Sequence, residues 1–167
     1  MTAFVLMTAQ ASVVINSTNF PDDNLRQQIL EGYDDGDGVL SDEELADKWL
    51  FSITGEGVTS LKGLELLTGL TSFELDNMEF ATIDATYLPP NVENINFAWS
   101  PQVTSIDLSG LKKLTAVVVD EMYGVYSLKM PAEVVYVELR YCPKLVSLDF
   151  NQYKKLTNIS VTMCGIQ

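Results

Sequence analysis

The 167-residue sequence contains no histidine, only two cysteines, and 10 basic residues against 23 acidic ones, for a formal charge of −13. Each scarcity removes a class of function. Without imidazole there is no Ser/His/Asp or Cys/His nucleophilic site, no histidine-ligated zinc and no imidazole acid–base catalysis. Cys142 and Cys164 are too few for a disulfide scaffold and form no C-x-x-C pair. The shortage of basic charge, with a pI near 4.1, argues against nucleic acid and anionic membranes as partners, because both would repel the average surface. Long apolar runs are missing too, so no membrane insertion is expected. What is plentiful is dispersed apolar residue, 47% of the chain, enough for one folded domain with a sizeable core.

The first eleven residues hold a short apolar run ending in Ala9-Gln10-Ala11, which fits the small-x-small rule of signal peptidase, although no basic residue precedes Arg26. The expected reading is the remnant of a secretory signal over 1–11, with the mature chain starting near Ser12.

Residues 12–48 read as a helical cap. Between Phe20 and Lys48, ten carboxylates face only Arg26 and Lys48, a net −8 of the −13. Phe20-Pro21-Asp22-Asp23-Asn24 opens a helix with proline and acids in its first turn, and Leu25, Ile29 and Leu30 supply the buried stripe. Tyr33-Asp-Asp-Gly-Asp-Gly38 must turn, and Ser41-x-x-Glu44 is a capping box for a second short helix through Ala46.

From residue 70 the pattern becomes a repeat. Leu70/Phe73/Leu75, Val92/Ile95/Phe97, Leu114/Val117/Val119, Val134/Val137/Leu139 and Leu156/Ile159/Val161 share the spacing apolar-x-x-apolar-x-apolar at intervals of 22, 22, 20 and 22 residues. A second series, Phe80/Ile83/Ala85, Val103/Ile106/Leu108, Val125/Leu128/Met130 and Leu145/Leu148/Phe150, falls between them. Leu50/Ile53 and Val58/Leu61/Leu64 suggest a degenerate coil before it. One coil is therefore a short strand, a turn and an extended return, and coils must stack to share a core. Prolines 89, 90, 101, 131 and 143 in the returns oppose long helices. The expected fold is a mainly β solenoid over 49–167, a leucine-rich repeat of about 22 residues per coil with a short α-helical N-terminal cap.

Val14-Ile15-Asn16, Phe20-Pro21-Asp22, Asp35-Gly36-Asp37-Gly38-Val39-Leu40-Ser41 and Leu61-x-Gly63-Leu64-Glu65-x-Leu67-Thr68-x-Leu70-Thr71 resemble secreted bacterial leucine-rich repeat proteins of the surface-antigen, BspA-like type. The returning Ile83-Asp84, Ile106-Asp107-Leu108 and Leu148-Asp149-Phe150 elements add to the likeness. The resemblance implies a secreted or cell-surface, non-enzymatic module for protein–protein interaction or adhesion. The alternative is a glycan-binding accessory module of a larger secreted protein. A hydrolase using Asp107 with Asp84 or Asp149 is disfavoured, since equivalent residues of stacked coils share one face instead of enclosing a sugar.

The acidic segment departs from the EF-hand loop it resembles. With Gly38 sixth, the ligand positions fall on Tyr33, Asp35, Asp37, the Val39 carbonyl, Ser41 and Glu44, and the first lacks its carboxylate. No cofactor is expected beyond weak calcium at Asp35, Asp37, Val39 and Glu44, tightened by Tyr33→Asp. The other reading of this segment is a hydrogen-bonded cap on the solenoid's apolar end.

Partner contact is expected where strand side chains leave the core. Glu74, Asn96, Val118, Glu138 and Ser160 alternate with the inward positions, flanked by Asp76, Asp120, Tyr136, Arg140 and Thr162. Glu74, Asn96, Glu138 and Arg140 should then be dispensable for folding. Loop aromatics Trp99, Tyr123, Tyr126 and Tyr141 form a second candidate surface, mostly expected to pack. Cys142 and Cys164 are expected as buried free thiols in consecutive coils. Only Thr162 to Gln167 follow the last repeat strand, so the array is expected to continue in a longer chain or to self-associate through its C-terminal edge.

Overall fold

The computed structural model describes residues 12–47 and 50–166, so the leader remnant expected over 1–11 lies outside the described residues. In the cap, β1 (Ser12–Val14) pairs antiparallel with β2 (Val39–Ser41), bracketing α1 (Asp23–Gly32) and the acidic loop. Asp22 caps α1 by accepting from the Leu25 N–H. Leu25 and Ile29 are fully buried, whereas Leu30, about 100° further round the helix, is only half-buried. The capping box forms before α2 (Asp42–Asp47): Ser41 Oγ accepts from the Glu44 N–H at 3.1 Å, and Glu44 Oε2 accepts from the Ser41 N–H at 2.7 Å.

The rest of the chain alternates strand and return. β3 (Phe51–Thr54), β4 (Ser72–Asp76), β5 (Thr82–Asp84), β6 (Asn94–Ala98), β7 (Ser105–Asp107), β8 (Ala116–Asp120), β9 (Ser127–Lys129), β10 (Tyr136–Arg140) and β11 (Asn158–Thr162) sort into two parallel sheets. One has the order β3-β4-β6-β8-β10-β11, the other β5-β7-β9. The fold is the expected β solenoid, since all strands of one sheet run in parallel and are joined by a full coil.

Register follows from the apolar pattern. Phe51, Phe73, Ile95, Val117, Val137 and Ile159 stand in one row, and Ile53, Leu75, Phe97, Val119, Leu139 and Val161 in the next. Because side chains alternate across a strand, both rows point inward, and all but the β11 members are buried. The degenerate first coil is thus a full member of the sheet. Its inward residues are Phe51 and Ile53, so Leu50 falls outside the inward pair. The fourth return also differs from expectation: Leu145/Leu148/Phe150 makes no strand, and Phe150–Gln152 is a 3₁₀ turn capped by Asp149.

The cap closes the β3 edge with side chains in place of a strand. Gln28 Oε1 accepts from the Thr54 N–H at 2.9 Å while its amide donates to the Thr54 carbonyl at 2.8 Å. The Tyr33 hydroxyl accepts from the Ser52 N–H and donates to the Ser52 carbonyl, both at 2.6 Å. The Asn24 amide donates to the Gly57 carbonyl. The Tyr33 ring stacks on Phe51, with centroids 3.8 Å apart. On the opposite flank, Gly63 (φ 111°) meets the cap so closely that a Cβ would lie 2.4 Å from Phe20. Cap and coils share one continuous apolar core.

Asp22 also accepts from Thr59 and Ser60, tying the start of α1 to the first coil. Burial pushes its carboxyl up, and the hydrogen bonds from Leu25, Thr59 and Ser60 outweigh this, leaving the pKa below its ordinary value. A depressed folded value stabilises the protein above the unfolded pKa of about 3.9 and is lost as pH falls through the folded value. Asp22→Ala is therefore expected to cost about 1 kcal/mol at neutral pH. The gap to the native protein should close in acid, as read by denaturant titrations at several pH values. A gap independent of pH would show that the carboxylate charge is immaterial.

Candidate binding face, cap loop and aromatic edge

The outer face of the six-stranded sheet carries the residues singled out from the sequence, in register. Glu74, Asn96, Val118, Glu138 and Ser160 form the central row. Asp76, Asp120, Arg140 and Thr162 line one side with Thr54 and Ala98, and Tyr136 stands on the other in a row with Ser72, Asn94, Ala116 and Asn158. They are joined in pairs. The Asn96 amide donates to Glu74 at 2.9 Å, the Tyr136 hydroxyl to Glu138 at 2.6 Å, and Arg140 to Asp120 at 2.9 Å, with Glu138 3.3 Å from its second nitrogen. The Glu138 hydrogen bond raises the Tyr136 hydroxyl's pKa.

Arg140 is thus no independent contact residue. It holds two carboxylates of adjacent strands, and its Nε and Asp120 Oδ1 are buried without a partner. Removing it leaves Asp120 and Glu138 unneutralised, so the expectation that all four contact residues are dispensable for folding suits Glu74 better than Arg140. In the middle of the face, Ala116 and Val118 leave a shallow cavity of ≈ 250 Å³ rimmed by Leu50, Ser72, Asn94, Asn96 and Tyr136. The sequence signal for it was present: the β8 coil has alanine and valine where its neighbours have polar or large residues.

Of the loop residues expected to hold calcium, Asp35 and Glu44 bring their carboxylates within 4.8 Å of one another and of Asp34, while the Asp37 carboxylate is not in that group. Asp34 turns inward and accepts from the N–H groups of Gly36, Gly38 and Val39. Asp37 accepts from the Val39 N–H, Asp35 from the Asp37 N–H, and Glu44 from the Asp35 N–H. Gly36 and Gly38 supply the left-handed backbone (φ 107° and 80°) that lets three amides converge on one carboxylate. Asp34 takes the central place in the turn, while Tyr33 is committed to Phe51 and Ser52.

This commitment gives Tyr33→Asp, expected to tighten calcium, a cost in stability. The substitution removes a ring stacked on the core and both hydrogen bonds to β3, with an expected loss of about 2 kcal/mol or more. Urea denaturation with and without millimolar calcium checks it. A variant as stable as the parent would show that the cap does not depend on Tyr33.

Asp84, Asp107 and Asp149 serve as turn caps. They accept from the N–H groups of Thr86, Ser109 and Asn151. The Ser109 hydroxyl lowers the Asp107 pKa against a smaller effect of burial, and Lys129, 3.1 Å away, adds to the lowering. A carboxyl so held is a poor general acid.

Cys142 and Cys164 are both free. They extend a column of turn residues with Met78, Ser100 and Met122, in which the Ser100 hydroxyl links coils by accepting from the Met78 N–H at 2.9 Å, and the Cys142 thiol by donating to the Val119 carbonyl at 3.7 Å. Burial pushes the Cys142 thiol up to about 12. Cys164, at the last turn, is only half-buried. The loop aromatics, expected mostly to pack, are instead exposed: Trp99 59%, Tyr123 43%, Tyr126 61% and Tyr141 42%.

A family model described as the leucine-rich repeat domain of the endo-beta-N-acetylglucosaminidase EndoS matches residues 20–164. No curated protein matches the chain.

Proposed function

Since the chain belongs to the EndoS leucine-rich repeat domain family, we propose that it is a non-catalytic recognition module that binds a protein through the outer face of its six-stranded sheet. The observation that carries this reading is the apolar floor of Ala116 and Val118 beside the polar pairs Asn96–Glu74 and Tyr136–Glu138. An apolar centre beside a tyrosine, ringed by polar side chains, has the composition of an interface hot spot. The aspartates that would have to act as acid and base are engaged as turn caps, which supports recognition over hydrolysis.

The site of action is outside the cell or at the cell surface, in the manner of the BspA-like surface antigens that the cap and repeat resemble. Ala9-Gln10-Ala11 supports export, and sequencing the N terminus of the exported protein should find Ser12. An N terminus at Met1 on exported protein would contradict processing at that site.

The face is tested by presenting the immobilised chain to extracellular proteins and identifying what it retains. Val118→Asp with Tyr136→Ala should abolish retention of a specific partner and leave the melting temperature close to that of the parent. A partner held equally by the double variant binds elsewhere, and the assignment of this face then fails.

A further inference from the structure

After β3, each coil leaves the six-stranded sheet through one residue with a left-handed backbone: Asn77 (φ 53°), Trp99 (47°), Glu121 (54°), Tyr141 (51°) and Met163 (56°). The sheet ladder continues through this turn. The N–H of Asn77 donates to Ala98, of Trp99 to Asp120, of Glu121 to Arg140 and of Tyr141 to Thr162. The five residues therefore stand in a column, one per coil, at ~4.8 Å per step.

Asparagine and glycine enter this backbone region easily, and Asn77 shows that the fold accepts asparagine here. A bulky ring in it costs on the order of 1 kcal/mol. In a core that cost would be offset by burial, yet Trp99 and Tyr141 are 59% and 42% exposed. Tyr123, two residues beyond Glu121, adds a third exposed ring to the same edge and donates its hydroxyl to the Glu121 carboxylate at 2.9 Å. Tyr123 also lies within electrostatic reach of Tyr141. Rings are thus held in water on a rigid ladder at a conformational cost that folding does not return.

We propose that this edge is a stacking platform for a neutral, extended β-linked glycan, with Trp99 and Tyr141 as the two ring supports and Glu121 and Tyr123 as the polar contacts between them. Two coils separate the supports, about 9.6 Å at ~4.8 Å each, which matches two pyranose units of such a chain. The apolar C–H face of a pyranose covers an aromatic ring, and its hydroxyls need acceptors and donors beside the ring. Glu121 and Tyr123 supply both. A cationic peptide is the less suitable occupant, because Asp120, beside Glu121 in the chain, is already paired with Arg140, which itself adds positive charge next to Tyr141. The proposal concerns a different surface from the sheet face and does not depend on that reading.

The test uses calorimetric titration of the full chain with cellohexaose, chitohexaose and laminarihexaose, with maltohexaose as the α-linked comparator and a lysine hexapeptide as the cationic one. At least one β-linked hexasaccharide should bind with little salt dependence. Trp99→Asn and Tyr141→Asn should each weaken it about tenfold, the worth of one aromatic contact, and together abolish it. Both substitutions keep a residue suited to the left-handed backbone, so the melting temperature should hold or rise. The double variant Val118→Asp with Tyr136→Ala should bind the glycan as the parent does. The proposal is overturned if no β-linked oligomer binds, if only the lysine peptide binds, or if binding survives the double asparagine variant. A melting temperature several degrees lower in the asparagine variants would equally overturn it, since the rings would then be packing elements.

Discussion

Phe73→Ala is expected to cost about 3–5 kcal/mol, a large fraction of the 5–15 kcal/mol by which a domain is typically stable. Phe73 is fully buried at the first inward position of β4, its ring centroid 6.1 Å from that of Phe51, which in turn stacks on Tyr33. The deletion empties the junction between the cap and the second coil. In a solenoid each coil touches only its neighbours, so cohesion across that junction has no long-range substitute. Denaturant unfolding should show the loss, and hydrogen exchange should show residues 12–54 opening before the later coils. The matched control is Ile159→Ala, the β11 member of the same inward row, which is 51% exposed and should lose only ~0.5 kcal/mol. Equal losses at the two positions would contradict a core that is closed at the cap and open at β11.

The solenoid was legible in the sequence because an inward pair at i and i+2 recurs about every 22 residues, and that spacing leaves no helical alternative. The contact face followed from the same alternation, since fixing Phe73 and Leu75 as inward places Glu74 outward. Other features carried no periodic signal. β3 was recognised only as a degenerate coil because the Leu50/Ile53 spacing obscured the true inward pair Phe51/Ile53. The closure of its edge depends on Gln28 and Tyr33 imitating a strand, and nothing in a helical stripe announces where its polar side chains will bond. β1–β2 pairing is likewise a tertiary event, three residues each, too short for alternation to show. In the loop, ligand positions were counted from Gly38 alone, and the aromatic stack that claims Tyr33 is formed only in the folded chain. The left-handed column had one conventional marker, Asn77. Tryptophan, glutamate, tyrosine and methionine at its other positions point away from such a turn, so sequence reasoning assigned the rings to packing.

The isolated 167-residue chain is expected to self-associate through β11, and the two ends of the solenoid show why. At the β3 end, Asn24, Gln28 and Tyr33 bond the backbone groups that a sheet edge leaves unpaired, and Phe20 and Leu25 cover the apolar side chains. At the other end no described element covers β11. All five of its residues are exposed, with Ile159 at 51% and Val161 at 40%, and Val146 and Met163 are exposed at 61% and 70%. An open parallel edge with apolar side chains beside it is a template for a further strand, and a second copy supplies one with its own β11. Charge opposes this contact, because each copy carries −13. Screening by salt should therefore promote the dimer, the reverse of an interface held by ion pairs. Sedimentation at increasing protein and salt concentration should show monomer giving way to dimer. Val161→Lys or Ile166→Glu should suppress it by placing a charge at the edge; both side chains sit at the open end, Val161 40% exposed and Ile166 at the margin of the core, so the coils further in should keep their unfolding transition. A chain that remains monomeric at millimolar concentration in high salt would show that β11 is protected by its twist and short length alone.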